Sequence, residues 1–292
     1  MSATIYPYKT PNCTATAAAT IREDIAKSAT QFSLSSDEEK KRLELLTSCL
    51  DLTTLKGDDT ANRVKRLCET AKKPLESKDG IQCAAVCVYD AFITAAKKET
   101  ATSKVKVATV SAGFPAGLSP LNARLAEIKA SVKKEVDEID VVIPRHLALE
   151  GNWEALYQEI RAFREQCGDT HMKVILATGE LAEIELVYCA SRVAMQAGAD
   201  FIKTSTGMES INATLEAGAT MTMAIRDHFR ETNARVGLKP AGGIRDYATA
   251  LAWYELVKNG LGEEWLHPNL FRIGASSLLT SIQERFTALH SE

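Results

Sequence analysis

Short apolar runs alternate along the chain with longer segments in which apolar residues recur at helical spacing. The runs are rich in Val, Ile and Leu, as expected of strands that are covered on both faces. They predict eight strands, at residues 48–53, 83–89, 105–112, 138–144, 172–179, 200–205, 236–240 and 271–276. The segments between them are typical of amphipathic helices. One of these, EIELVYCASRVAMQAG, ends in Gly198, a residue well suited to follow a helix C-terminus.

The alternation of strands and helices predicts an α/β fold with a parallel sheet. Eight such units over roughly 250 residues are the size of a (β/α)8 TIM barrel. The alternative is an open, doubly wound sheet, which needs a glycine-rich phosphate turn after an early strand. The first turn, TTLKGDDT, is not of that kind.

The chain is predicted to have one domain preceded by a short extension. Residues 1–34 are rich in Ala, Thr and Ser, with a weak helical pattern near residues 21–29. We therefore predict an N-terminal helical or disordered extension at residues 1–34 and a barrel domain at residues 35–292.

Composition limits the classes of function. Of 292 residues, 45% are apolar and 25% charged, and the net charge is −3, so nothing favours nucleic acid or an anionic membrane as a partner. The N-terminus lacks an apolar leader, and no run is long enough to span a membrane. Seven cysteines show neither zinc-ribbon nor thioredoxin spacing. We predict a cytoplasmic protein with free thiols.

Two lysines end neighbouring predicted strands. Lys203 closes DFIK and Lys239 closes VGLK, one barrel unit later, which predicts a separation of about 5 Å. Like charge and burial both disfavour two ammonium groups at this distance, so one amine becomes neutral and can form a Schiff base with a carbonyl. A single lysine at a strand end is usually a surface group, so the argument depends on the pair. Asp140 or Asp51 is placed to assist proton transfer.

Two loops rich in small residues follow the last two strands. They are KPAGGIR, residues 239–245, and IGASS, residues 273–277. Barrels often bind phosphate at these loops through backbone N–H groups and a helix N-terminus. The sequence therefore predicts an anionic substrate.

Several stretches resemble the deoxyribose-phosphate aldolases, a family of class I aldolases that act through a Schiff base. They cover nearly the whole barrel and are DLTTL with the following GDDT, EIDVVIP, MKVILATGEL, AGADFIKTSTG, VGLKPAGGIR and RIGASSLL. The resemblance implies reversible cleavage of 2-deoxy-D-ribose 5-phosphate to acetaldehyde and D-glyceraldehyde 3-phosphate, in deoxyribonucleoside catabolism. It implies no metal or organic cofactor, and a homodimer or higher homo-oligomer.

The resemblance also implies roles for residues. Lys203 would form the Schiff base, Lys239 would perturb it, and Asp140 would transfer protons through a water. The substrate pocket would be lined by Asp51, Thr53, Cys87, Lys173 and Thr206. The phosphate would be held by Gly207, Gly242, Gly243, Gly274, Ser276 and Ser277, with Arg245 nearby.

The sequence departs from the family pattern at three places. Met208 stands where many members have a lysine after TSTG, Ala177 stands where a glutamate is common, and the chain ends in TALHSE without the tyrosine of many members. Arg245 and Arg272 are the candidates to replace the missing cation. The alternatives are a catalytically weakened barrel that acts as a binding or regulatory protein, and a class I aldolase of different substrate preference.

Overall fold

The computed structural model describes residues 6–11, 23, 25–26, 35–76, 78–181 and 183–291. Most of the predicted extension, including most of the weak helix near residues 21–29, lies outside the described residues.

Eight parallel strands form the sheet at the centre of the fold. They are β1 (Leu50–Thr53), β2 (Ala85–Val88), β3 (Lys106–Ser111), β4 (Glu138–Val142), β5 (His171–Ile175), β6 (Phe201–Lys203), β7 (Gly237–Lys239) and β8 (Ile273–Ala275). Each lies within its predicted run or begins one residue before it. The prediction of eight strands is therefore confirmed.

The sheet closes into a barrel. Each strand pairs with the next in parallel from β1 to β7, and β8 pairs with β1, with Leu52 opposite Ala275. Isolated bridges between Leu238 and Phe271 and between Ala241 and Gly274 join β7 to the segment around β8. The TIM barrel is confirmed, and the open doubly wound sheet is wrong because such a sheet keeps two free edges.

Helices cover the outside of the barrel. They are α1 (Ser36–Ser48), α2 (Ala61–Lys72), α3 (Ile93–Thr100), α4 (Leu121–Lys133), α5 (Arg145–Leu149), α6 (Trp153–Cys167), α7 (Thr178–Leu181), α8 (Ile184–Gln196), α9 (Leu215–Thr232), α10 (Tyr247–Leu261) and α11 (Leu278–Ser291). Gly198, just after α8, has φ 98°, as predicted for a residue that follows a helix end. No helix in the described part of the chain combines the length and the apolar character needed to cross a membrane.

Helix α1 precedes the first strand and was not predicted. Its start is a capping box, in which the Ser35 hydroxyl accepts from the Glu38 backbone N–H and the Glu38 carboxylate accepts from the Ser35 N–H. An ion pair between Arg285 and Glu39, at 2.7 Å, joins α11 to α1. The S-S-D-E sequence at residues 35–38 is the signal that would have predicted this helix.

The barrel interior has an apolar half and a charged half. Alternation along each strand sends one set of side chains outward to the helices and the other set inward. Strands β2 and β3 send inward small apolar residues, which form one buried cluster: Ala85, Cys87, Ala108 and Val110, with Leu55 above them. The buried charged residues of the interior come from β1, from β4 to β7 and from the residue before β8: Asp51, Glu138, Asp140, Lys173, Lys203, Lys239 and Arg272. The charged groups are therefore concentrated in one half of the interior.

Part of the predicted extension lies against the barrel helices. The Tyr6 N–H donates to the Gln196 carbonyl at 3.0 Å, and the Tyr157 hydroxyl donates to the Tyr6 carbonyl at 2.7 Å. The Tyr6 ring meets the His228 ring edge-on, with centroids 5.2 Å apart. These contacts attach the segment to α6, α8 and α9.

The prediction of free thiols holds for part of the cysteines. Five buried cysteines have free thiols: Cys49, Cys68, Cys83, Cys87 and Cys167. Cys189 is disulfide-bonded, so the prediction is wrong there. Spacing along a sequence does not show which distant cysteines meet in the fold.

Candidate active site

Three lysines converge on one carboxylate inside the barrel. The Lys173 ammonium donates to Asp140 Oδ1 at 2.9 Å, and those of Lys203 and Lys239 donate to Asp140 Oδ2 at 2.8 Å each. The sheet register brings them together, because Lys173 lies opposite Asp140 and Lys239 lies opposite Lys203. The predicted proximity of Lys203 and Lys239 is confirmed. Lys173 lies at the centre of its strand, whereas the sequence pattern placed it near the start.

A second group of charges lies beneath this one. The Arg272 guanidinium contacts Asp51 at 2.7 Å and Glu138 at 2.8 Å. Asp51 also contacts Lys239 at 2.5 Å, and Glu138 contacts Lys173 at 2.6 Å. Arg272 is 3% exposed, so the interpretation of Arg272 as a cation for a substrate phosphate is wrong. Its guanidinium is paired with the carboxylates of Asp51 and Glu138, because its inward position brings these groups into contact.

The carboxylates set the protonation of their neighbours. Burial by itself would lower the pKa of Lys239, but the carboxylates of Asp140 and Asp51 outweigh it and hold that pKa above its usual value. Burial would raise the pKa of the Asp140 carboxyl, but the ammonium groups of Lys173, Lys203 and Lys239 hold it well below its usual range. Asp140 is therefore a stable anion, and Lys239 a stable cation.

A cavity of about 630 Å³ opens above these charges, over the C-terminal ends of β1, β6, β7 and β8. Lys203 is the only one of the three converging lysines on its wall. The other predicted site residues on the wall are Thr53, Thr206, Gly207, Gly242, Gly243, Arg245, Gly274, Ser276 and Ser277.

Five predicted site residues do not reach the cavity wall. They are Asp51, Cys87, Asp140, Lys173 and Lys239, each 0% exposed. Cys87 belongs to the apolar half of the interior, and burial raises the pKa of its thiol. The charged residues lie beneath the cavity and form its support. Strand assignment alone did not show their depth, because depth depends on the stagger of the closed sheet.

The described cavity wall carries five cations and no carboxylate: Lys56, Arg63, Arg66, Lys203 and Arg245. The sequence analysis missed Lys56, Arg63 and Arg66, which follow β1. Barrel closure places β1 beside β8, so the loop after β1 lies next to the predicted phosphate loop after β8. The predicted closure of the barrel could have identified these three residues from the sequence, because it places the loop after β1 next to the loop after β8. A cavity of this charge favours anionic ligands.

The loop after β6 is stabilised by its own acid. The Glu209 carboxylate accepts from the backbone N–H of Thr206 at 3.0 Å, from the Thr206 hydroxyl at 2.8 Å and from the Gly207 N–H at 3.1 Å. The Gly207 N–H, which was predicted to hold a phosphate, is therefore occupied, as is the N–H of the predicted pocket residue Thr206. Met208, 52% exposed, lies on the wall without a side-chain donor.

Two glycines of the wall lie close to neighbouring side chains. A Cβ on Gly274 would lie 3.2 Å from Lys239 Cε, so the absent side chain leaves room for that lysine. Gly242 has φ 82°, and a Cβ there would lie 2.7 Å from the Asn212 side chain. Glycine at both places is explained by these contacts.

Helix α11 begins at the cavity. Ser276 and Ser277 line the wall directly before its first residue, Leu278. Unpaired N–H groups and the positive end of the helix dipole make such a start an anion-binding element. The start of α11 lies beside the cations of the loop after β1, so the helix start and these cations both attract anions.

The comparisons with known proteins agree with this geometry. Residues 46–279 match the profile of the DeoC/LacD family of aldolases. Over 247 residues, the chain is 53% identical to a human deoxyribose-phosphate aldolase. The aligned region covers 81% of this chain and 78% of the relative. The chain is 51% identical over 249 residues to a relative of the same name from Bos taurus, over 82% of this chain and 78% of that one.

A solved structure shows the same fold. The tetrameric structure of deoxyribose phosphate aldolase from Aeropyrum pernix superimposes with a TM-score of 0.67 at 21% identity, over 92% of this chain and 97% of that one. With the match over most of the barrel and relatives above 50% identity, this chain belongs to the DeoC/LacD family of aldolases.

Proposed function

We propose that the protein cleaves 2-deoxy-D-ribose 5-phosphate reversibly to acetaldehyde and D-glyceraldehyde 3-phosphate, through a Schiff base on Lys203. The observation that carries the proposal is the position of Lys203, the one converging lysine on the wall of a cationic cavity. The names of the relatives support the choice of sugar.

The charge balance of the interior supports Lys203 as the neutral amine. Four cations and three carboxylates form the buried network, which leaves one excess positive charge when all are ionised. Lys173 and Lys239 each contact two carboxylates, whereas Lys203 contacts Asp140 alone among the described residues. If Lys203 loses its proton, the positive and negative charges of the network are equal in number. Fewer ion pairs are then lost than if Lys173 or Lys239 became neutral.

The proposed reaction uses that amine as nucleophile. Lys203 attacks the aldehyde carbon of the open-chain sugar, and loss of water leaves an iminium ion. Removal of the proton from the 3-hydroxyl breaks the bond between carbons 2 and 3, and the electron pair moves to the iminium to form an enamine. D-Glyceraldehyde 3-phosphate leaves, carbon 2 takes up a proton, and water releases acetaldehyde and the free amine.

Asp140 and Lys239 act on this sequence from beneath the cavity. The Asp140 anion stabilises the iminium charge that forms on Lys203, at whose amine it already lies. Asp140 exchanges protons with the substrate through a water, and the Lys239 cation repels positive charge at the neighbouring Lys203.

Borohydride reduction with acetaldehyde tests the assignment. The trapped two-carbon adduct is expected on the peptide that contains Lys203, and Lys203→Met should give none. An adduct on Lys239 or Lys173 in the wild-type protein would reverse the assignment.

The setting of the reaction is part of the same proposal. We propose a cytoplasmic homo-oligomer that acts in deoxyribonucleotide and carbohydrate catabolism, with a barrel domain at residues 35–292 and an extension at residues 1–34. The tetrameric relative from Aeropyrum pernix supports an oligomer. Light scattering after size-exclusion chromatography measures its size, and a monomer at working concentration would contradict it. A barrel without catalysis is not favoured, since lysine, carboxylate and cavity are all in place.

A further inference from the structure

Helix α2 has two functional sides, one packed against the core and one that lines the cavity. Its core side is formed by Val64, Cys68 and Ala71, which are buried. The wall residues of α2 are Arg63, Arg66, Leu67 and Thr70, spaced i, i+3, i+4 and i+7. Residues at this spacing share one side of a helix. Arginine at two of these four places gives the face a positive charge.

The acids of the preceding loop neutralise only one of these cations. Arg63 contacts Asp58 at 2.9 Å and Asp59 at 2.8 Å. The Asp59 carboxylate also accepts from the Thr54 hydroxyl at 2.7 Å and from the Lys56 backbone N–H at 2.9 Å. These bonds hold the loop in place and use both of its acids.

Two cations remain uncommitted on this side of the cavity. The side chains of Lys56 and Arg66 form no ion pair in the described part of the chain, and both residues are exposed on the wall. Their loop and helix follow β1, whose end pairs with the end of β8. They therefore lie near the start of α11, where an anion is favoured.

The Met208 loop on the other side of the cavity supplies no cation to the described wall, and Arg245, on the loop after β7, is the third exposed cation of that wall. Met208 offers no donor, and the Thr206 and Gly207 N–H groups are taken by Glu209. Lys203 is consumed by the Schiff base in the proposed reaction. A dianionic phosphate is attracted to the side that keeps free positive charge.

We propose that Lys56 and Arg66 bind the substrate phosphate, together with the loop before α11, and so replace the lysine that is absent at position 208. The inference rests on the proposed function and specifies which residues select the phosphorylated sugar. It also predicts that the phosphate lies between α2 and α11.

Steady-state kinetics on two sugars tests the proposal. The variants Lys56→Gln, Arg66→Gln and the double variant are compared on deoxyribose 5-phosphate and on unphosphorylated deoxyribose. We expect KM for the phosphorylated sugar to rise about fivefold in each single variant and about twentyfold in the double, several times more than for deoxyribose. Equal changes for both sugars, or no change, would overturn the proposal.

Lys65→Gln is the matched control. Lys65 neighbours Arg66 in α2, but it lies off the cavity wall and its ammonium is 4.0 Å from Glu69. It removes the same charge from the same helix, so a general electrostatic effect would appear in it equally. The proposal requires the Lys65→Gln kinetics to match the wild type.

Binding of glycerol 3-phosphate separates this proposal from the proposed function. This probe has no carbonyl and forms no Schiff base, so calorimetry measures the phosphate site even in a protein without aldolase activity. We expect Arg66→Gln to weaken its binding about fivefold. Failure of the borohydride trapping would remove the proposed function alone, whereas unchanged glycerol 3-phosphate binding would remove the role of Arg66.

Discussion

Lys203 and Lys239 lie opposite each other on neighbouring strands, and their ammonium groups share a single oxygen of Asp140 at 2.8 Å. The shared oxygen brings the amine nitrogens of the two lysines together. Lys239 has a second carboxylate, Asp51, whereas no second carboxylate pairs with Lys203 in the described part of the chain. In the proposed reaction, this asymmetry makes Lys239 the cation and Lys203 the nucleophile.

Removal of the Lys239 charge should change the pH dependence of the reaction. Lys239→Met removes a cation that shares Asp140 Oδ2 with Lys203, so its repulsion of positive charge at Lys203 is lost. The acid limb of kcat/KM should move to higher pH, with loss of activity at neutral pH and partial recovery at alkaline pH. Lys239→Arg, which keeps the charge, is the control. A loss of equal size at every pH would mean that Lys239 acts by contact or proton transfer.

Asp140→Asn should destabilise the fold. It leaves three lysines around a neutral amide, and breaking a buried ion pair costs about 3–5 kcal/mol. Urea unfolding at pH 7 measures the effect. Asp79→Asn, at a 95% exposed side chain 3.7 Å from Lys73, should change the free energy of unfolding by less than about 0.5 kcal/mol. Equal effects in both variants would contradict the role of the buried network.

The same carboxylate predicts part of the acid sensitivity. The folded-state pKa of Asp140 lies below its unfolded value of about 3.9, so its contribution to stability is present above that pH and is lost as pH falls through the folded pKa. Asp140→Asn should therefore lose less stability on acidification below about pH 4 than the wild type does. Unfolding curves at several pH values from 5 downward check this.

His228 should make the fold sensitive to mild acid. Burial lowers its pKa to about 4, with Arg192 acting in the same direction and Glu231 against it. Its ring is 1% exposed, meets the Tyr6 ring, and neither ring nitrogen has a hydrogen-bond partner in the described part of the chain. The unfolded chain takes up a proton near pH 6.5 and the folded one only near pH 4. Stability is therefore lost as pH falls between these values.

The variant His228→Phe should remove that sensitivity. The wild type is expected to lose about 1–3 kcal/mol of unfolding free energy between pH 7 and pH 4.5 through this residue, and His228→Phe should lose correspondingly less. His146→Gln, at an exposed position, serves as the control. An identical pH dependence in wild type and His228→Phe would show that His228 does not titrate in this range.

A lysine at position 208 should strengthen phosphate recognition. Met208 lies on the cavity wall, so Met208→Lys adds a cation near the predicted phosphate loops. We expect KM for deoxyribose 5-phosphate to fall by about threefold to tenfold, with a smaller change for deoxyribose. The fall should be larger in the Arg66→Gln background, where the phosphate has lost a partner. Ser210→Lys, off the described wall, should not reproduce it.

The sequence determined the barrel and the proximity of the lysine pair that the proposed reaction uses. Strand runs and helix periodicity are local properties of the chain, and eight alternating units have few ways to bury both faces of a parallel sheet. The position of Lys203 and Lys239 at strand ends followed from the same local pattern. The capping box of α1 was equally local, and it could have been predicted.

Only the tertiary structure decided which charges meet. The contact of Arg272 with Glu138 spans 134 residues, and its contact with Asp51 spans 221, so neither partner can be read from neighbouring positions. The depth of Asp51, Lys173 and Lys239 below the cavity depends on the stagger of the closed sheet. The cations at positions 56 and 66 join the phosphate loops only because β1 pairs with β8 across the closure of the barrel.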